Sequence, residues 1–246
     1  MRPIAALISA LVISIGSASA ADLVIIAASD AGDQFTPGAI LQSEQVLKVP
    51  VGGRLTLLAE SGAIIKLDGP YSGPAHVPNS SVGTKSIAGW SAALTKIAGL
   101  VSKDKKQSTV IGASRYIAPP LANLPDAWAM AVDSSGHRCV RADNVDMWRR
   151  KASARADLAL RSKSARQTGL VWAAGHDRMA LPQQFVEDGT LIVMNIGTEP
   201  RRFIMHVLPL DIDPMQPGAV LLWMIDNKCD RQAHTLIRRL HAAVPQ

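Results

Sequence analysis

Two cysteines, six histidines and one dense run of arginine and lysine are the side chains that could carry chemistry in this 246-residue chain. Cys139 and Cys229 are the only cysteines. In an oxidising compartment such a pair favours a single disulfide, Cys139–Cys229, closing a long loop. Two separate buried thiols are the bland alternative, since cysteine packs as a small hydrophobe. A reactive thiol at Cys139, beside His137 and Arg138, is a third reading. Neighbours along a strand point to opposite faces, which argues against it.

The histidines are His76, His137, His176, His206, His234 and His241, and none shows HxxxH or HExxH spacing. No metal site is read from them. His176 falls in an expected turn and His206 in an expected strand, and both are read as surface or internally satisfied residues. Ser102 and Lys105 fit the SxxK pattern of penicillin-binding enzymes, without the companion motifs. GxSxG, a P-loop and a GxGxxG opening a helix are absent as well. No catalytic, cofactor-binding or metal-ligating residue is assigned, and no cofactor is expected. Any two of the 20 carboxylates could meet in space, but spacing selects no pair.

Positive charge is the compositional bias. Arg149, Arg150, Lys151, Arg155, Arg161, Lys163 and Arg166 are seven cations set against Asp157 alone, a local excess as large as the net charge of +6. A solvated strand face with its loops is the ordinary explanation of such a run. The functional explanation is an anion-binding surface for envelope lipid headgroups, anionic glycans or an acidic partner protein. Only 4% of residues are aromatic, so nucleic acid fits poorly.

These side chains need elements to position them. Met1–Ala20 reads as a secretory signal: Arg2, then the apolar run Ile4–Ile15, then the small-x-small site Ala18-Ser19-Ala20. No later segment is long enough to span a membrane. The chain therefore reads as an exported, periplasmic or secreted protein, which is why the cysteines are expected to pair.

Val46–Gly73 carries the clearest structural pattern. Gly52-Gly53 breaks the chain, and Leu55, Leu57 and Ala59 then alternate on one face. Glu60-Ser61-Gly62 is a connection of hairpin length. Ile65 and Leu67 lie on one side of the next strand, Lys66 and Asp68 on the other, and Gly69-Pro70 ends it. The expectation is an antiparallel hairpin with one apolar face, preceded by a strand at Val46–Val49. A glycine pair, a strand, a serine–glycine turn, a strand and then L-D-G-P resembles the periplasmic FecR-type domain of iron-dicitrate sensors. That family places a cytoplasmic segment and a membrane span before the domain, whereas this chain shows a cleavable-looking signal. The resemblance thus implies a small extracytoplasmic β-module over residues 46–75, without anti-sigma signalling. The layout as a whole is similar to uncharacterised exported bacterial proteins.

Beyond it, Pro70–Ser86 is rich in glycine, proline and serine and reads as linker. Ile87, Trp90, Leu94, Ile97, Ala98 and Val101 have helical spacing, with Lys103–Lys106 as a solvated end. Strands are expected at His137–Arg141, Val145–Arg149, Ser153–Arg161, Gly169–Ala174, Leu191–Ile196 and Arg202–Leu208. Ala219–Ile225 is helix or buried strand. A last helix, capped by Asp226 or Asn227, turns Cys229, Ala233 and Leu240 inward and Arg231, Arg238 and Arg239 outward.

The fold class expected is mainly β with a few helices (α+β). A signal at 1–20 precedes a FecR-like β-module at 21–85, a helix and linker at 86–125, and an antiparallel β-domain with a C-terminal helix at 126–246. The function expected is a non-enzymatic binding or scaffolding module facing an envelope protein or an anionic surface. An envelope hydrolase with a site between the two domains is the alternative.

Overall fold

The computed structural model describes residues 22–42, 44–75, 90–109, 124–197 and 199–242. The expected signal at 1–20 and most of the expected linkers, with His76, lie outside them.

Asp22–Ser29 (β1), Ile40–Gln42 (β2), Val46–Val49 (β3), Arg54–Ala59 (β4), Ile64–Asp68 (β5) and Tyr71–Pro74 (β6) build the first β-part. Four of these strands form an antiparallel sheet in the order β2-β1-β4-β5. The expected hairpin is present, with Leu55 opposite Leu67 and Leu57 opposite Ile65. Two expectations change. The strand β3 leaves that sheet and pairs with β6, inside the stretch expected to be linker. The strand β4 is also buried on both sides, for Thr56 and Leu58 are as inaccessible as Leu55 and Leu57, while β5 keeps Lys66 and Asp68 on a more open side. Leu23, Ile25, Leu55, Leu57, Ile65 and Leu67 fill one core with Leu47 and Val49. Val24, Ile26 and Leu58 face a second core, which helices cover.

Those helices are Trp90–Thr109 (α1), Pro217–Asp226 (α2) and Asp230–Ala242 (α3). Leu94, Ile97, Leu100 and Val101 turn α1 toward β1. Lys103–Lys106, expected as the solvated end of this helix, lie inside it: no glycine or proline interrupts Ser102–Thr109, so it continues to Thr109. The apolar run Ala219–Ile225 is helical, with Pro217 in the first turn, where its missing N–H costs nothing. A Cβ on Gly218 would stand 1.9 Å from the Gly62 carbonyl oxygen, so only glycine lets α2 lie on the β4–β5 turn. Asp226 and Asn227 close α2 rather than cap α3. The Cys229 carbonyl accepts the first α3 bonds, from the N–H groups of Gln232 and Ala233, both at 3.0 Å. Asp230 in the first turn of α3 and Arg239 and His241 in its last suit the helix dipole.

Met130–Ala131 (β7), Gly136–Val140 (β8), Asp146–Trp148 (β9), Ala156–Arg161 (β10), Arg166–Trp172 (β11), Arg178–Ala180 (β12), Leu191–Ile196 (β13) and Glu199–Val207 (β14) form the second β-part. A five-stranded sheet, β11-β10-β13-β14-β8, and a three-stranded sheet, β12-β9-β7, enclose a core of Leu158, Leu160, Ile192, Met194, Phe203 and Met147. The α+β class stands, but this part is mixed rather than antiparallel. The strand β8 runs parallel to β14, and β7 parallel to β9. The connection from β8 to β14 contains several other strands, long enough to bring the chain back to the same end of the sheet.

Cys139 and Cys229 form a disulfide with an S–S distance of 2.09 Å. It joins β8 to the start of α3. Beside it the buried Gln232 amide accepts from the Cys139 N–H at 2.8 Å and donates to the Cys139 and Ala127 carbonyls at 2.6 and 2.9 Å. These bonds occupy backbone groups on the free edge of β8, which would otherwise be open to another strand.

Candidate functional site

The basic run separates into three environments. Arg149 leaves the surface altogether: it is 8% exposed. Its guanidinium donates to the carbonyls of His176, Ala154, Ala152 and Ala173 at 3.0, 2.7, 3.4 and 2.7 Å. It also lies over the Trp172 ring, 4.9 Å from its centroid. With donors engaged and the residue buried, Arg149 is a structural clamp and drops out of the anion-binding set.

Arg161 and Arg166 stand at the other end of the run, on the outer face of the five-stranded sheet. Arg166 is directly opposite Arg161, Arg161 opposite Val193, and Val193 opposite Arg202. Directly opposed residues on neighbouring strands share a face. Three arginines therefore stand in one row across four adjacent strands, with Arg161 and Arg202 about 10 Å apart at two strand spacings. All three are exposed, and no salt bridge reaches them among the described residues. Thr168 and Asn195 line the same hollow of about 370 Å³. Lys163 lies in the β10–β11 turn, where Arg161 and Lys163 share a neighbouring hollow with Glu187 and Asp188. Arg202 was missed in the sequence, although the alternation of its strand already set Arg202 and Ile204 on one face.

Arg150, Lys151 and Arg155 form the third group, around an open groove at the far end of the second β-part. Arg150 stands 3.6 Å from Asp133, and Arg155 is 3.2 Å from Asp157. Asp133 is the hub of a half-buried network. Its two oxygens accept from Arg231 at 2.6 and 3.2 Å, so Arg231 does not face outward as expected. Burial alone would raise the Asp133 pKa, but the bonds and charge of Arg231, with Arg150 and Arg138, outweigh it and hold the carboxyl below its ordinary value. Arg138 itself donates to the carbonyls of Ala131 and His137 at 2.8 and 2.7 Å, and to that of Ser134. Burial first, then repulsion from Arg231, lower its pKa to about 10, so it stays charged near neutrality. These bonds hold the Asp133–Ser135 corner, where the chain leaves β7 in one sheet for β8 in the other.

His137 and His206 do not stand alone. Their rings stack with centroids 5.1 Å apart, and Nδ1 of His137 lies 2.8 Å from Nε2 of His206. That bond needs one ring to donate and the other to accept, so it holds in the neutral pair and is lost when both are protonated. Burial, then the charge of His137, lower the His206 pKa below 6.5, while Asp188 opposes the shift. A base with a lowered folded pKa binds fewer protons folded than unfolded. The penalty therefore begins as pH falls through about 6.5 and grows until the folded pKa is passed. His241, lowered by burial and then by Arg54, contributes in the same sense. The melting temperature should fall between pH 7.5 and 5, and His206→Asn should flatten part of that fall. An identical fall in the variant would remove the pair as its source.

Among the described residues no group of three or more His, Cys, Asp or Glu gathers to hold a metal ion, and no helix is long and apolar enough to cross a membrane. Ser102 and Lys105 of the SxxK pattern fall within α1. Comparison with protein-family models, curated proteins and solved structures finds no match.

Proposed function

We propose that the protein is an exported, non-enzymatic binding module that holds an anionic envelope surface against the outer face of its five-stranded sheet. The arginine row is the observation that carries this reading. Arg161 and Arg166 are directly opposed like charges, an arrangement that disfavours the sheet and that a merely solvated face has no reason to adopt. Arg202 extends the row, and no carboxylate pairs with it among the described residues. The cations stand on an open face rather than around an enclosed, water-excluding site, which suits a surface partner better than catalysis. The leader-like start of the chain and the disulfide support export. In this reading the first β-part serves as the small extracytoplasmic module that the FecR-type resemblance implies, and the helices couple it to the basic sheet.

Sedimentation with vesicles tests the proposal. The mature protein should co-sediment with phosphatidylglycerol-containing vesicles at low salt and far less with phosphatidylcholine. Each basic residue near an anionic surface contributes about 1 kcal/mol, so Arg161→Ser with Arg166→Ser should weaken retention about ten- to thirty-fold. Salt should weaken the wild type in parallel. Retention unchanged in the double variant would overturn the reading.

A further inference from the structure

The groove at the far end of the second β-part has a character the sheet face lacks. Its volume is about 540 Å³, within the range of small-molecule sites. Val132, Ala154, Ala156 and Ile196 give it an apolar floor and wall, and Arg150, Lys151, Arg155 and Arg201 line it with positive charge. Asp133 is the single carboxylate among its lining residues.

Three of these cations, Arg150, Lys151 and Arg155, are available at little cost. Asp133 already receives Arg231 on both oxygens, so Arg150 is only a further claimant, at 3.6 Å, with its side chain 51% exposed. Arg155 holds Asp157 in an exposed pair two residues apart, the kind that contributes little. Lys151 is exposed and takes part in no salt bridge among the described residues. An incoming anion can thus recruit mobile cations without breaking a strong bond, while its body displaces water from the half-buried Ile196 and Ala156.

We propose that this groove is a second binding site, taking a small organic acid with an apolar body: a carboxylate head among Arg150, Lys151 and Arg155, and an aliphatic or aryl tail over Ile196 and Ala156. It is independent of the arginine row on the sheet face, and either site can fail without the other.

Titration calorimetry with octanoate, acetate and inorganic phosphate tests it. Octanoate should bind at least about tenfold more tightly than either small anion, because its methylenes add burial that they lack. Lys151→Glu and Ala154→Asp replace exposed residues and should leave the fold intact, as far-ultraviolet circular dichroism would verify. Each should weaken octanoate at least about tenfold. Arg161→Ser with Arg166→Ser should leave octanoate binding unchanged. Equal affinity for octanoate, acetate and phosphate would overturn the proposal, leaving a charge effect alone. So would octanoate binding untouched by Lys151→Glu and Ala154→Asp, or binding lost in the sheet-face variant instead.

Discussion

Reduction of the Cys139–Cys229 bridge should lower the melting temperature by about 10–15 °C without abolishing the native fold. The bridge spans a sequence separation of 90, and in the chain-entropy account a loop of that size restricts the unfolded state by about 4–5 kcal/mol. For a chain of this size each kcal/mol moves the midpoint by about 2–4 °C. Both cysteines are buried, at 0% and 2% exposure, within the core shared by the helices and β1. Fold retention is expected because the sulfurs are not the only tie between α3 and β8. The Gln232 amide still bonds the backbone of Cys139 and Ala127. Arg231 still holds Asp133 across the same junction. Scanning calorimetry with and without a phosphine reductant measures the shift, and the double variant Cys139→Ala, Cys229→Ala should reproduce it. Two titratable thiols in unfolded, unreduced protein, or an unmoved midpoint, would remove the bridge as a source of stability.

What the sequence made legible was local. The β4–β5 hairpin could be read because its turn and alternation lie within fifteen residues (Arg54–Asp68). The partner of β3 could not, since β6 lies beyond a Gly-Pro break and Tyr71–Pro74 carries no apolar alternation of its own. Burial of β4 on both faces was hidden by Thr56, a polar residue that is fully inaccessible and bonded to His241, 185 positions away, at 2.9 Å. Ala219–Ile225 is apolar at every position, so it has no period to separate helix from strand. The disulfide could be anticipated because two cysteines admit only one pairing. The meeting of His137 with His206, 69 positions apart, could not, because it depends on the parallel register of β8 against β14.

The basic run shows the same boundary. From Ala156 to Arg161 strand alternation sorted the side chains, and Leu158 and Leu160 are buried while Asp157 and Arg161 are exposed, as that pattern requires; the strand was expected from Ser153, but Ser153–Arg155 lie before it and Ala154, expected inward, is exposed. Arg149-Arg150-Lys151 precedes the strand and has no period. Three adjacent cations looked equivalent there, although one is enclosed and two are not. The residue types foretold positive charge in this region. Its division between a sheet face, a groove and an internal clamp follows from how β9, β11 and β14 come together.

Replacing Arg149 should therefore damage stability rather than anion binding, and a lysine should not rescue it. The guanidinium spreads its donors over the carbonyls of Ala152, Ala154, Ala173 and His176, which come from two separate segments, and it covers Trp172. Lysine offers the same charge from one point, without the planar fork or the stacking surface. Arg149→Lys should lose about 2–3 kcal/mol. Arg149→Met, which leaves partly buried carbonyls without donors, should lose about 3–4 kcal/mol. Urea unfolding measures both, as a lower midpoint at an unchanged slope. Vesicle retention of the folded fraction should stay at the wild-type level in each variant, because the exposed arginine row is untouched. An anion-binding role would give the opposite pattern: stability preserved in both variants, with retention lost in Arg149→Met and kept in Arg149→Lys. Stabilities within about 0.5 kcal/mol of the wild type, together with weakened retention, would return Arg149 to the binding surface and take the clamp away.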